Sequence, residues 1–196
     1  MNDPERRAFA HALYAAGREH DDRQPDRLAR WRNVEPETAE LLGVLVRAKR
    51  AARVLEIGTS NGYSTIWLAD AAEATGGKVL TVELDPARTA LAREHVARAG
   101  LQDRVELRTE DAAQTLRALP DHAFELTFLD AERPHYAGYW PDLVRTLAPG
   151  GLLAVDNAIS HANELVDFRA VVDGDARVTQ ALVPVGAGLL LVVMPG

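Results

Sequence analysis

The chain has 196 residues and a mass of 21.3 kDa, with 47% hydrophobic and 26% charged residues, the proportions of one soluble globular domain. It contains no cysteine, which excludes disulfides, thiolate metal sites, iron–sulfur clusters and a cysteine nucleophile. Its 22 basic and 29 acidic residues leave a net charge of -7, a field that repels phosphate backbones and argues against a nucleic-acid partner.

In chain order, Asp3-Pro4-Glu5 reads as a cap followed by proline at the first helical position, and predicts a helix over about 4–19. This opening is charged and lacks the apolar stretch of a secretory signal. Nor does any later apolar run approach the ~20 residues of a membrane span. A cytoplasmic protein with no membrane partner is expected. Residues 21–33 read as a loop or a short helical piece. A second helix is predicted from Pro36 to about Arg50, where Leu41, Leu42, Val44, Leu45 and Val46 are too dense for a purely surface helix.

From residue 52 the pattern alternates. Apolar, β-rich runs at 53–57, 78–82, 104–108, 125–129 and 152–155 are separated by helical stretches at 63–74, 86–99, 112–119 and 136–147. Strand–helix alternation predicts a parallel sheet with right-handed crossovers, and near-continuous apolar strands predict helices on both faces. A further helix near 163–172 precedes runs at 177–183 and 189–194. No helix separates that last pair, so they are predicted to form an antiparallel hairpin. The fold expected is a single α/β domain over 1–196: a helical segment over 1–50, then a doubly wound, seven-stranded, mostly parallel sheet ending in that hairpin.

The first crossover, Gly58-Thr-Ser-Asn-Gly62, lies between a strand and the opening of a helix. Glycines there permit a tight turn and close approach of backbone to ligand, and the helix N-terminus offers amides to an anion. The spacing is G-x-x-x-G rather than G-x-G-x-x-G, so the third glycine of a dinucleotide fingerprint is missing. Glu83 ends the second strand, where a carboxylate can accept both ribose hydroxyls of an adenosine. Asp111, after the third strand, is equally suited to an adenine amino group or to capping the next helix.

Five blocks in order, VLEIGTSNGYST (54–65), VLTVELDP (79–86), RVELRTEDA (104–112), FLDAERPHY (128–136) and LAPGGLLAVDN (147–157), resemble the class I S-adenosylmethionine-dependent methyltransferases. Within them the chain is similar to the cation-dependent catechol/caffeoyl-CoA O-methyltransferase family, over nearly all of residues 33–194. The resemblance implies a Rossmann-like methyltransferase fold and S-adenosyl-L-methionine as cofactor. It implies cofactor contacts at Glu56, Gly58 and Ser64, with Glu83-Leu84 at the ribose and Asp111-Ala112 beside the adenine. Asn33-Val34 would close over the methionine end, and Asp130 would border the same site. A small-molecule hydroxyl acceptor and a homodimer are also implied.

Asp130 ends the fourth strand and Asp156-Asn157 the fifth, which puts two carboxylates and an amide oxygen on one sheet edge. With no cysteine and no paired histidine, such hard ligands suit Mg²⁺, with Mn²⁺ or Ca²⁺ as alternatives. Asp130, Asp156 and Asn157 also match the family's metal ligands. The plainer alternative is a lone cofactor-site acid and a turn. Catalytic roles fall on Asp130 and on position 133, where the family has a lysine proposed as general base. Here Arg133 stands instead, and arginine stays protonated and cannot accept a proton. His135 and His161 are the alternative proton acceptors. Arg133 could otherwise pair with an anionic substrate or steady the carboxylates. Tyr136, Tyr139 and Trp140 are spaced for core or dimer packing, with Trp31 or Tyr136 as candidate walls of an aromatic-acceptor pocket. The sequence thus reads as an S-adenosylmethionine- and metal-dependent O-methyltransferase. Competing readings are a catalytically altered binder of the same cofactor and an adenine-dinucleotide oxidoreductase.

Overall fold

A computed structural model describes all residues, 1–196. Five parallel strands form its centre: β1 (Arg53–Ile57), β2 (Lys78–Glu83), β3 (Val105–Thr109), β4 (Phe124–Leu129) and β5 (Leu147–Val155). They are joined by α3 (Tyr63–Ala74), α4 (Pro86–Arg98), α5 (Ala112–Ala118) and α6 (Tyr136–Thr146). Two helices, α1 (Pro4–Arg23) and α2 (Pro36–Lys49), precede this unit, and α7 (Val166–Asp173), β6 (Thr179–Val183) and β7 (Leu189–Val193) close it. The strand order is β3-β2-β1-β4-β5-β7-β6, with β7 antiparallel to both its neighbours. The hairpin therefore folds back so that its second strand, not its first, meets the parallel sheet.

Strand side chains alternate between two cores, as a pleat requires. Val54, Val79, Leu126, Phe128, Leu152 and Ala154 pack with α1, α2 and α3. Leu55, Ile57, Leu80, Leu129, Leu153 and Val155 pack with α5, α6 and α7. Residues Tyr63–Ala72 of α3 are all buried, as fits an apolar helix wedged between sheet and neighbouring helices. Asp70 is the charged member of that run, and it is paired at 2.7 Å with both Arg6 of α1 and Arg47 of α2. Those pairs clamp the N-terminal helices onto α3. No helix is long and apolar enough to cross a membrane.

The two largest differences from the sequence expectation are at element boundaries. α1 runs to Arg23 because Gly17 is buried where a Cβ would meet Asn33 at 2.3 Å, so its last turns pack against the following segment. β5 starts at Leu147, because Leu147 pairs with Phe124 across a register shift and Gly150 N donates to Pro195 O at 2.9 Å. The Pro149-Gly150-Gly151 signal marks that irregularity rather than a loop.

The sheet ladder continues one bond past each strand end. Gly58 N donates to Val82 O (2.9 Å), Asp130 N to Ile57 O (3.0 Å), Asp156 N to Leu129 O (3.2 Å) and Glu110 N to Glu83 O (2.9 Å). Crossovers leave β1 and β4 in opposite directions, so a crevice opens between their carboxyl ends. The ladder thus delivers the glycine turn and three acids to the rim of that crevice.

Candidate active site

The crevice holds a cavity of about 530 Å³. Gly58, Ser64, Glu83, Leu84, Asp111 and Ala112 line one end, with Val34 over them, and Asp130, Arg133, Asp156 and Asn157 line the other. Of the residues expected to contact a cofactor, only Glu56 does not reach the cavity. It is fully buried, and its carboxylate accepts hydrogen bonds from Ser64 (2.6 Å), Thr65 (2.5 Å) and Thr81 (2.7 Å). Burial pushes its pKa up to about 7, against the pull of those three hydroxyls. Glu56 therefore orients Ser64, which lines the cavity, instead of touching a ligand itself.

Gly58 has φ +102°, and a Cβ there would lie 2.0 Å from the carbonyl oxygen of Asp130. The glycine turn is thus pressed against the end of β4. Glu83 Oε2 accepts from Ser60 N at 2.8 Å, and its Oε1 accepts from Leu84 N and Asp85 N at 2.9 and 3.0 Å. Those bonds fix the carboxylate at the mouth of the β2 turn, with lone pairs left for further donors. Asp111 caps α5 through Gln114 N at 2.9 Å, as one of its two sequence readings has it, and it also lines the cavity.

The acidic end is electrostatically strained. Asp156 is buried and Asp130 half-buried, and both carboxyls are held above the usual carboxylate range, first by loss of solvent around them; mutual repulsion adds to this at Asp156. Asn157, at φ +64°, turns its Nδ2 to Asp130 Oδ1 (3.2 Å) and Asp156 Oδ2 (3.1 Å), while its Oδ1 accepts from Ser160 Oγ at 3.2 Å. Asp156 Oδ1 is buried without a hydrogen-bond partner. A half-turn of the Asn157 amide would present its oxygen to the acids and its nitrogen to Ser160, which can also accept. Nowhere do three or more His, Cys, Asp or Glu side chains gather as ligands for one ion. The set here is two carboxylates and an amide, with one orphaned oxygen and uncompensated negative charge, and it fits a hard divalent cation.

The cover of the cavity is longer than the Asn33-Val34 stretch expected from the sequence. Residues 24–35 cross its mouth as a strap. Asp21 accepts from Trp31 N (2.7 Å) and Arg32 N (2.8 Å), and Ser60 Oγ donates to Trp31 O at 2.7 Å. Arg88 of α4 donates to the carbonyls of Leu28 and Arg30. Across the mouth, Arg32 pairs with Glu132 (2.7 Å), Arg27 with Glu164 (3.3 Å), and Arg133 Nε with Glu164 (2.8 Å). The signal was the Arg/Asp-rich composition of residues 1–33, whose partners 100 or more residues away have no local trace. The β6–β7 loop was also missed as a wall. Ala187 O accepts from Ile159 N and Ser160 N, which holds the segment after Asn157 in place.

Two aromatic assignments change. Tyr136 is fully buried in the core and donates its hydroxyl to Ala131 O at 2.9 Å, so it is not a cavity wall. Trp31, stacked on His20 at 4.0 Å, and Tyr139 are. His135 and His161 both border the cavity, and burial with the nearby Arg133 lowers the His161 pKa.

Across residues 18–194 the chain matches the model of a family described as O-methyltransferase. It is 37% identical over 130 residues to a catechol O-methyltransferase of Niastella koreensis, covering 65% of this chain and 58% of that protein. It is 38% identical over 148 residues to a catechol O-methyltransferase of Mycobacterium tuberculosis, covering 76% of this chain and 65% of that protein. The matched region thus spans less than two thirds of either relative. The solved structure of the O-methyltransferase TomG from Streptomyces achromogenes, involved in tomaymycin synthesis and in complex with SAM, superposes with a TM-score of 0.79 at 28% identity, covering 100% of this chain and 92% of that one.

Proposed function

The chain belongs to the O-methyltransferase family, and we propose that it moves the methyl group of S-adenosylmethionine onto a hydroxyl of a small, catechol-like aromatic acceptor, assisted by a divalent cation such as Mg²⁺. The observation that carries this reading is the Asp130–Asp156 pair with the orphaned oxygen of buried Asp156, facing the same cavity as the Gly58 turn and Glu83. The relatives named as catechol O-methyltransferases and the neighbour holding SAM support it.

Asp130, Asp156 and, after its amide turns, Asn157 are the residues that would hold the cation. When bound, it supplies Lewis acidity that favours the ionised acceptor hydroxyl. The rest falls to the chain. Glu83 receives the ribose hydroxyls, and Asp111 and Ala112 border the adenine. Ser64, held by Glu56, meets the amino-acid end of the cofactor. Trp31 and Tyr139 offer flat apolar walls to an aromatic ring. The strap excludes bulk water and fixes the approach of oxygen to methyl carbon, a proximity effect. Arg133 keeps its proton and is no base.

The test is methyl transfer from labelled S-adenosylmethionine to catechol. Label should appear in the acceptor, stop on chelation with EDTA and return with Mg²⁺. Transfer indifferent to EDTA would contradict the cation's part, and no transfer to any vicinal diol would contradict the whole reading.

A further inference from the structure

Three guanidiniums stand over the acidic end of the cavity, and they are not equivalent. Arg27 and Arg32 are 46% and 30% exposed, and their terminal nitrogens are engaged by Glu164 and Glu132. Arg133 is 4% exposed and lines the cavity, yet only its Nε is bonded, to Glu164 Oε2 at 2.8 Å. Neither terminal Nη group has a hydrogen-bond acceptor within the protein. Those nitrogens open to the cavity, where water can fill them, and an anion entering the cavity would replace that water with charge-assisted hydrogen bonds. The pairing with Glu164 fixes the plane of the group and leaves the terminal edge as a two-pronged donor, the geometry that matches a carboxylate.

We propose that Arg133 is a specificity-determining residue whose terminal guanidinium edge binds a carboxylate on the methyl acceptor. The acceptors favoured are then vicinal dihydroxy aromatics that carry a carboxylate, over neutral diols of the same size. This rests on the acceptor occupying the cavity described above. It also accounts for arginine at this position: the point charge of a lysine would serve a single oxygen but not a planar fork.

The test is isothermal titration of the full chain, with S-adenosylhomocysteine and Mg²⁺ present, by catechol, 2,3-dihydroxybenzoate and 3,4-dihydroxybenzoate. Wild type should bind the better benzoate roughly 10-fold or more tightly than catechol, the worth of one charge-assisted bond or two. Arg133→Lys keeps the charge and the Glu164 pairing, so it guards against misfolding. It should cut that ratio several-fold, and Arg133→Met should bring it to one or below. A wild-type ratio near one, or a ratio that Arg133→Lys leaves unaltered, overturns the assignment. Binding is read without turnover. Loss of methyl transfer with the ratio intact would therefore indict the reaction and not Arg133, whereas transfer without the ratio would indict Arg133 alone.

Discussion

Asp156→Asn should abolish cation-dependent turnover while making the ligand-free fold more stable at neutral pH. Removing one carboxylate from the Asp130–Asp156 pair removes one of the ligands proposed for the cation. The expected loss in rate is roughly 10²–10³-fold, equivalent to about 3–4 kcal/mol of transition-state stabilisation. The stability effect has the opposite sign. Burial raises both carboxyl pKa values in the folded state above their ordinary value of 3.8. A carboxyl with a raised folded pKa contributes most below its unfolded pKa. Its contribution is lost as pH rises through the folded value, because the unfolded chain gives up the proton first. Wild type should thus lose stability between about pH 4 and neutrality, and the Asn variant should lose less. At pH 7 the variant should melt higher by several degrees, at about 2–4 °C per kcal/mol for a chain of this size. At pH 4 the gap should close. Added Mg²⁺ should raise the wild-type melting temperature by linkage and leave the variant unmoved. A variant that is less stable than wild type at pH 7 without metal would contradict the electrostatic description of the pair.

The second large effect is expected at the glycine turn. Gly58→Ala places a methyl 2.0 Å from the backbone oxygen of Asp130 at a residue with φ +102°. Neither party can yield, since Asp130 N is itself bonded to Ile57 O at 3.0 Å. Strain at positive φ and the overlap together should cost roughly 2–6 kcal/mol. The glycine-turn end and the acid end of the cavity should fail together, because this contact lies where they meet. Gly76→Ala supplies the control: φ is +75° there, but nothing lies within 4 Å of the new Cβ. It should show the conformational cost alone, about 1 kcal/mol. Urea melts of both variants and titration with S-adenosylhomocysteine measure the difference. Equal costs at the two sites would mean that the β1–α3 turn is not pressed on β4 as described.

What could be read from the sequence was what period and punctuation encode. The alternation of apolar strands with helices placed β1 and α3 at their observed limits, and proline with glycine marked the hairpin. Residues at strand ends were also legible, because a parallel sheet sends all its carboxyl ends to one edge. That is why the sequence groups Glu83, Asp111, Asp130, Asp156 and Asn157, and all five border the cavity. What could not be read depends on direction and distance. Glu56 was expected at the cofactor from the family resemblance, but the pleat turns its side chain toward α3 and three hydroxyls. Tyr136 likewise begins a helix at the cavity rim yet points into the core. The strap was opaque for another reason. Its bonds to Ser60, Arg88, Glu132 and Glu164 join residues remote in sequence, and no periodicity records them.

The central claim is that Asp130, Asp156 and Asn157 seat one divalent cation beside the cofactor cavity. Calorimetric titration of Mg²⁺ into the chain, with S-adenosylhomocysteine and catechol present, addresses it most directly. One ion per chain should bind, with a heat that varies with the buffer's ionisation enthalpy because raised carboxyls must give up protons to bind metal, and the binding should vanish in the Asp130→Ala, Asp156→Ala double variant. No ion bound by wild type, or the same uptake in the double variant, would contradict it.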